Sequence, residues 1–234
     1  MMTPNEIKIL NEKIFPEFML DLDRANNILF RLVKTLNWLL QQKDLSIVDY
    51  NKILYRFGEL TKANRAYFFK RVEKDGLIYY ECENEWDKNE CISLKQYFGN
   101  VIFYEDNVPY IFDNIENCKC INSSIKDLPE IDRKILSKMD TKSILILPLI
   151  CPNSMLLGFV GFDNCDEERE WGNTELNALK AVSIIIGTIY MLNEAQNKEK
   201  EYISKAIIEL KSTREKIEKT NNSIINRRFA YNEF

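Results

Sequence analysis

The side chains best suited to covalent chemistry in this chain are its cysteines, Cys82, Cys91, Cys118, Cys120, Cys151 and Cys165, set in a sequence of 234 residues without one histidine. Only Cys118-Lys119-Cys120 is a close pair. A thiol becomes a nucleophile or a metal ligand when its pKa is lowered, and Lys119 is a cation placed to do that to a neighbour. With no second cysteine pair and no histidine, a tetrahedral zinc site lacks its ligand set. The missing imidazole also removes His-ligated haem, Ser-His-Asp and Cys-His nucleophile activation, and an in-chain histidine phosphoacceptor. In a phosphorelay, the transferring group would have to lie on another chain.

The composition is 45% hydrophobic and 12% aromatic, enough for a packed core, and the length suits one sizeable domain with extensions. A net charge of −4 argues against non-specific binding to nucleic acid, which needs a basic face. The longest apolar candidate, Ala181–Leu192, has the length of a buried helix and falls short of the ~18–20 residues that cross a bilayer. No small-residue cleavage pattern follows an apolar stretch near the start. The reading is therefore of a cytoplasmic chain with reduced thiols and no membrane partner.

Three parts must position these side chains. Residues 1–45 read as an N-terminal helical segment, helical over about 14–43 and broken early by Pro16. Leu22, Leu29 and Leu36 recur every seventh position with Ala25, Leu32 and Leu39 between them, the pattern of an amphipathic helix or a short coiled-coil seam. Residues 46–190 read as the globular domain. Ser46 can cap a helix from Ile47 to about Leu60. Two β-branched and aromatic runs, Ala66–Val72 and Leu77–Cys82, joined through Lys74-Asp75-Gly76, read as a hairpin. Pro109–Phe112 reads as a short strand and Pro129–Lys138 as a helix. Ser143–Ile150 and Leu156–Asp163, separated by Pro152-Asn153-Ser154, form a second hairpin whose first strand is bulged or edge-like at Pro148. The third part, residues 191–234, continues a helix that starts at Thr174. Its stripe runs Leu179, Val182, Ile186, Ile189, then Asn193, Gln196, Lys200, then Ile203, Ile207, Leu210, Arg214, Ile217, always three or four apart. The first apolar block fits a domain core and the second a dimer seam.

Several stretches carry a family likeness. Asp127-Leu-Pro-Glu-Ile-Asp-Arg-Lys-Ile-Leu136, the strand Ser143–Leu149, Leu157-Gly-Phe-Val-Gly-Phe-Asp163 with Arg169-Glu-Trp171 after it, and more loosely Tyr79–Trp86, resemble the GAF domain, in particular the group found upstream of GGDEF cyclase or histidine kinase modules. The resemblance spans about residues 46–190. It implies an α+β fold with a mostly antiparallel five- to six-stranded sheet, helices packed on it, and coiled-coil-like helices flanking it at both ends. In such a fold Gly158 would let a helix pack closely on its strand, and Trp171 would cover the sheet edge beside the last helix. A ligand pocket would lie between the sheet and the Glu83–Lys138 connections. Its candidate liners are Phe69, Tyr80, Cys82, Phe98, Tyr110 and Phe112, with Cys118 and Cys120 nearby; each also suits a filled core.

GAF subtypes leave different marks. Cyclic-nucleotide binders resemble this chain poorly: Asp163-Asn164 stands where an Asn-Lys pair is expected, and Trp171 where a Phe is expected. Haem and bilin binders rely on histidine near the chromophore, and all three cofactors are disfavoured, leaving the ligand unknown. Methionine sulfoxide reductases of GAF type use pocket cysteines, which keeps Cys118 and Cys120 open as nucleophiles. Ile225-Asn-Arg-Arg-Phe229 faintly resembles the opening of a GGDEF domain, although an ordinary charged tail reads as well. The expectation is a non-enzymatic sensor that binds a small molecule and dimerises through Leu29, Leu36, Ile203, Ile207, Leu210 and Ile217. It would signal to an output protein such as a cyclase or kinase. The alternatives are a thiol-dependent reductase or a ligand-free dimerisation module.

Overall fold

In the computed structural model, the described residues are 12, 15–40, 49–88, 92–94, 102–151 and 153–231. Helix α1 spans Phe15–Leu40 and α2 spans Tyr50–Leu60. The hairpin β1 (Arg65–Lys74) and β2 (Leu77–Asp87) follows, then β3 (Ile102–Phe103), α3 (Pro109–Glu116), β4 (Ile121–Ser124) and α4 (Glu130–Ser137). The second hairpin is β5 (Ser143–Ile150) and β6 (Leu156–Asn164), and α5 runs Asn173–Tyr231. The six strands lie in the order β3-β2-β1-β6-β5-β4, and each neighbouring pair is antiparallel.

Alternation along the central strands divides the side chains between two faces. Ala66, Phe68, Leu145, Leu147, Val160 and Phe162 join one apolar cluster with α1, α2 and the first turns of α5. Tyr67, Phe69, Ile144, Ile146 and Phe159 join another with β3, α3, β4 and α4. Adjacent residues on one strand thus serve opposite cores, so the sheet is the only layer between them.

Local chemistry explains most elements. The β1–β2 turn places Asp75 and Gly76 at φ +55° and +77°, the double left-handed conformation of a type I′ hairpin. Asp49 caps α2, accepting from the Lys52 N–H at 3.2 Å; Ser46, the expected cap, lies outside the described residues. Pro148 sits where β5 has passed the end of β4, whose pairing stops at Ile146, and the bulge falls one residue later, between Leu149 and Ile150.

Two expectations need correction. Pro109–Phe112 is the first turn of α3 and not a strand. Proline suits the first helical turn, where its missing N–H would be unbonded anyway. Asp132 of α4 then accepts from Tyr110 N–H (3.3 Å) and Ile111 N–H (3.0 Å) and caps the helix from a distance. Gly158, at φ +151°, does not make room for a helix: a Cβ there would overlap the Phe69 carbonyl of β1. Trp171 behaves as expected, being 2% exposed, while its backbone exchanges two hydrogen bonds with the Asn122 side chain on edge strand β4.

The chain divides into two compact units at Tyr190/Met191. In the first, Leu179, Val182, Ile186 and Ile189 of α5 are buried. Helix α5 holds an 18-residue window of mean hydropathy 1.4, apolar enough by length and composition to cross a membrane, and half of that window is buried inside the chain. In the second unit the helix continues through Tyr231, taking in Ile225–Phe229, and Ile203, Ile207, Leu210 and Ile217 are exposed.

Candidate functional site

The face of the sheet under α3 and α4 is aromatic because β1, β2, β3 and β6 each turn large rings towards it. Phe103, Phe69 and Phe159 stack in sequence, with centroids 4.8 and 4.9 Å apart, and Tyr80 meets Phe159 and Phe112 edge-on. Such stacks add to the burial of each ring. Polar clamps hold the covering elements down. Glu116 at the end of α3 accepts from Arg71 Nε (3.0 Å) and from the Tyr80 hydroxyl. Burial, then the bond to Glu116, pushes the Tyr80 hydroxyl far above the ordinary phenol value. Glu85 accepts from Ser93 Oγ (2.9 Å) and from the Leu94 N–H, tying residues 93–94 to β2.

At one end of the sheet lies a buried ionic knot. Arg65, fully buried, donates from Nε to Asp163 Oδ2 at 3.0 Å, and Tyr67 donates to Asp163 Oδ1 at 2.8 Å. The same guanidinium bonds the Ile92 carbonyl (2.6 Å) and Thr141 Oγ1 (2.8 Å). A buried charge survives only when paired and fully hydrogen-bonded, and here every branch of the guanidinium is used. Asn64 adds a second tie, donating to Asp166 (2.7 Å) and accepting from the Cys165 N–H (2.8 Å). Beside this knot opens a cleft of about 800 Å³, lined by Trp86 and Asp87 of β2, Lys88 just after it, Met139, Asp140 and Lys142 from the α4–β5 link, and Asp166 after β6. Its charged groups were not singled out in the sequence: they are far apart along the chain, and only strand register brings them together.

A third polar group fixes the start of α5. Asp21 of α1 accepts from the backbone N–H groups of Thr174 (2.9 Å) and Glu175 (3.1 Å). Glu175 in turn is held by Arg169 (2.9 and 3.0 Å), whose guanidinium also lies over the Trp171 ring.

Comparison with known proteins agrees with this architecture. The GAF domain family model matches residues 50–189. The chain belongs to the GAF domain family. A relative, the methanogenesis regulatory histidine kinase FilI of Methanothrix harundinacea (strain 6Ac), is 31% identical over 152 residues, or 63% of this chain. Those residues are 16% of the relative, so the chain spans about a sixth of that kinase's length. The GAF domain of a phosphoenolpyruvate-protein phosphotransferase from Coxiella burnetii superposes with a TM-score of 0.59 at 18% identity, covering 74% of this chain and 98% of that one. A phycocyanobilin-bound GAF domain from a cyanobacterial phytochrome gives 0.55 at 16% identity, covering 74% and 96%. At these identities the two structures speak for the fold. The family is one of sensory and regulatory domains.

Within this GAF domain the candidate liners separate. Phe69, Tyr80 and Phe112 come together in the aromatic cluster, with Cys82 partly buried at its margin. Tyr110 is 40% exposed, and Phe98 lies outside the described residues. Cys118 is exposed in the turn after α3, whereas Cys120 packs against the opposite cluster. Burial pushes the Cys120 thiol up, against the direction Lys119 was expected to drive it. Among the described residues no group of three or more His, Cys, Asp or Glu side chains could hold a metal ion.

Proposed function

We propose that this GAF domain is a cytoplasmic, non-enzymatic sensor that binds a small molecule on its aromatic side and passes occupancy to an output protein through a dimeric C-terminal helix. The observation that carries this reading is the single-layer coupling through the sheet. Phe69 stacks on Phe159 on one face, while the next residue back, Phe68, meets Tyr190 of α5 on the other with centroids 5.0 Å apart. A ligand that shifts the first pair moves the strand against which α5 packs. It changes the equilibrium between helix packings only to the extent that it binds one of them better. Kinship with a regulatory histidine kinase supports a kinase-type output, and the exposed Ile203, Ile207, Leu210 and Ile217, with Leu29 of α1 also exposed, support a homodimer. The side chain of Leu36 lies outside the described residues.

A second reading, a ligand-free dimerisation module, is favoured by the Phe103–Phe69–Phe159 stack, which fills part of the aromatic face with the chain's own rings. The thiol-reductase reading draws no support from Cys120, whose raised pKa opposes nucleophilic use. Hydrogen exchange of the full chain, with and without a low-molecular-weight extract of host cells, separates the first two. The sensor predicts altered protection in β1, β6 and the 200–217 stretch of α5. Identical exchange throughout the domain would support the ligand-free module instead.

A further inference from the structure

We propose that the cleft at the end of the sheet is a binding site for a small zwitterion of the free amino acid class, carrying both an ammonium and a carboxylate. The proposal rests on the sensory reading above and names its ligand class, placing the ligand at the end of the aromatic side, where Met139 of the aromatic cluster lines the cleft.

The cleft is built before any ligand arrives. Arg65 bonds Ile92 and Thr141, which carry two of its walls, to Asp163 of β6, so the walls are fixed by one buried guanidinium. Asn64 joins the other two: its carbonyl accepts from Lys88 at the end of β2, and its side chain bonds Asp166 and the Cys165 N–H. A site held this way loses little entropy on binding. Its volume, about 800 Å³, lies in the range of small-molecule sites.

The lining charges point to the ligand. Asp87 and Asp140 face the cleft with Lys88 and Lys142, and none of these side chains makes an ion pair among the described residues. Asp166 adds a third carboxylate, already accepting from Asn64. Burial, then Glu85, pushes the Asp87 carboxyl above its ordinary value, so a cation placed beside it would relieve an existing penalty. Among the described lining residues three carboxylates outnumber two ammonium groups, which disfavours a purely anionic ligand such as a nucleotide, while a simple cation would leave both lysines without a counter-charge. A ligand with both charges satisfies both sets. Ile92 and an edge of the buried Met139 supply apolar surface for its side chain, while the Trp86 ring packs on Gly58 on the other face of the sheet. Met139 also belongs to the aromatic cluster, which gives occupancy a direct contact with the interior that faces β1 and β6.

The test is isothermal titration of the full chain with each standard L-amino acid, and with the N-acetyl and carboxamide forms of any that bind. At least one free amino acid should bind, each derivative should bind about tenfold or more weakly, and Asp87→Asn and Lys142→Met should each weaken it by a similar factor. Both side chains reach solvent, so the variants should keep the parent's circular dichroism and melting temperature. Absence of saturable binding up to about 10 mM for every amino acid would overturn the proposal. Binding that both variants leave unchanged would overturn it too. If a different metabolite binds and ignores both substitutions, the sensory reading survives while this site assignment does not.

Discussion

Asp21 and Thr174 are joined across 153 residues of sequence: the carboxylate in α1 accepts the backbone N–H of Thr174 at 2.9 Å and so caps the helix that leaves the domain core. Four amides at a helix start have no partner within the helix, and here the second capped one belongs to Glu175. Gly172 makes this approach feasible, since a Cβ there would overlap the Asp21 carboxylate. The N-terminal helix and the last helix therefore share a polar contact, and Ala25 and Ile28 of α1 lie in the same apolar cluster as Leu179 and Val182 of α5.

Asp21→Ala should destabilise the domain by about 1–2 kcal/mol, the usual worth of a lost N-cap. Gly172→Ala should cost at least as much because it displaces the same carboxylate. Combined, the two should cost clearly less than their sum, since each removes the same bond. Urea unfolding of the four proteins measures this, and full additivity would show that Asp21 does not act through the cap.

The Arg65–Asp163 pair predicts a larger effect. Removing one partner leaves a buried charge without compensation, so Asp163→Asn should cost about 3–5 kcal/mol. It should also loosen the segments held by Ile92 and Thr141, seen as faster amide exchange near them. A loss under about 1 kcal/mol would mean that the knot is solvated in solution.

Tyr67 sets a limit at alkaline pH. Burial, then the charge of Asp163, holds its hydroxyl well above the phenol value of 10.0. Above that pH the unfolded chain releases this proton and the folded chain keeps it. The stability contributed is thus whole below pH 10 and is lost as pH rises towards the folded value, by about 1.4 kcal/mol per pH unit. Tyr67→Phe should flatten the decline of the urea midpoint between about pH 10 and pH 11.5 by that amount. An unchanged slope would place the Tyr67 hydroxyl in contact with water.

Much of this was legible in the sequence where the signal is local. Asp75-Gly76 announces its own turn because both residues tolerate positive φ, and Leu156–Asn164 announces a strand through its apolar run. Pro109–Phe112 misleads because four residues cannot distinguish a strand from a first helical turn, and its cap, Asp132, lies 21 residues from Ile111. Gly158 was readable as a close-approach site, but the neighbour is the Phe69 carbonyl, which only register can identify. The aromatic residues of the candidate site were readable by type. The cleft was not: Asp87, Asp140 and Asp166 acquire a common address only after β2, β5 and β6 are aligned.

The exposed stripe of the second unit makes a separate prediction. Replacing Ile207 and Leu210 together by Asp places two charges in the proposed seam, where a coiled coil buries its apolar positions. The doubly substituted chain should sediment as a monomer at concentrations where the parent is a dimer, with unchanged melting of the domain. A dimer that survived would remove this stripe from the interface.

Native mass spectrometry of the chain purified from its own or a closely similar host tests the central claim most directly. The sensory account predicts a homodimer carrying a reproducible extra mass of small-molecule size. A bare monomer would contradict both the dimeric relay and the retained ligand.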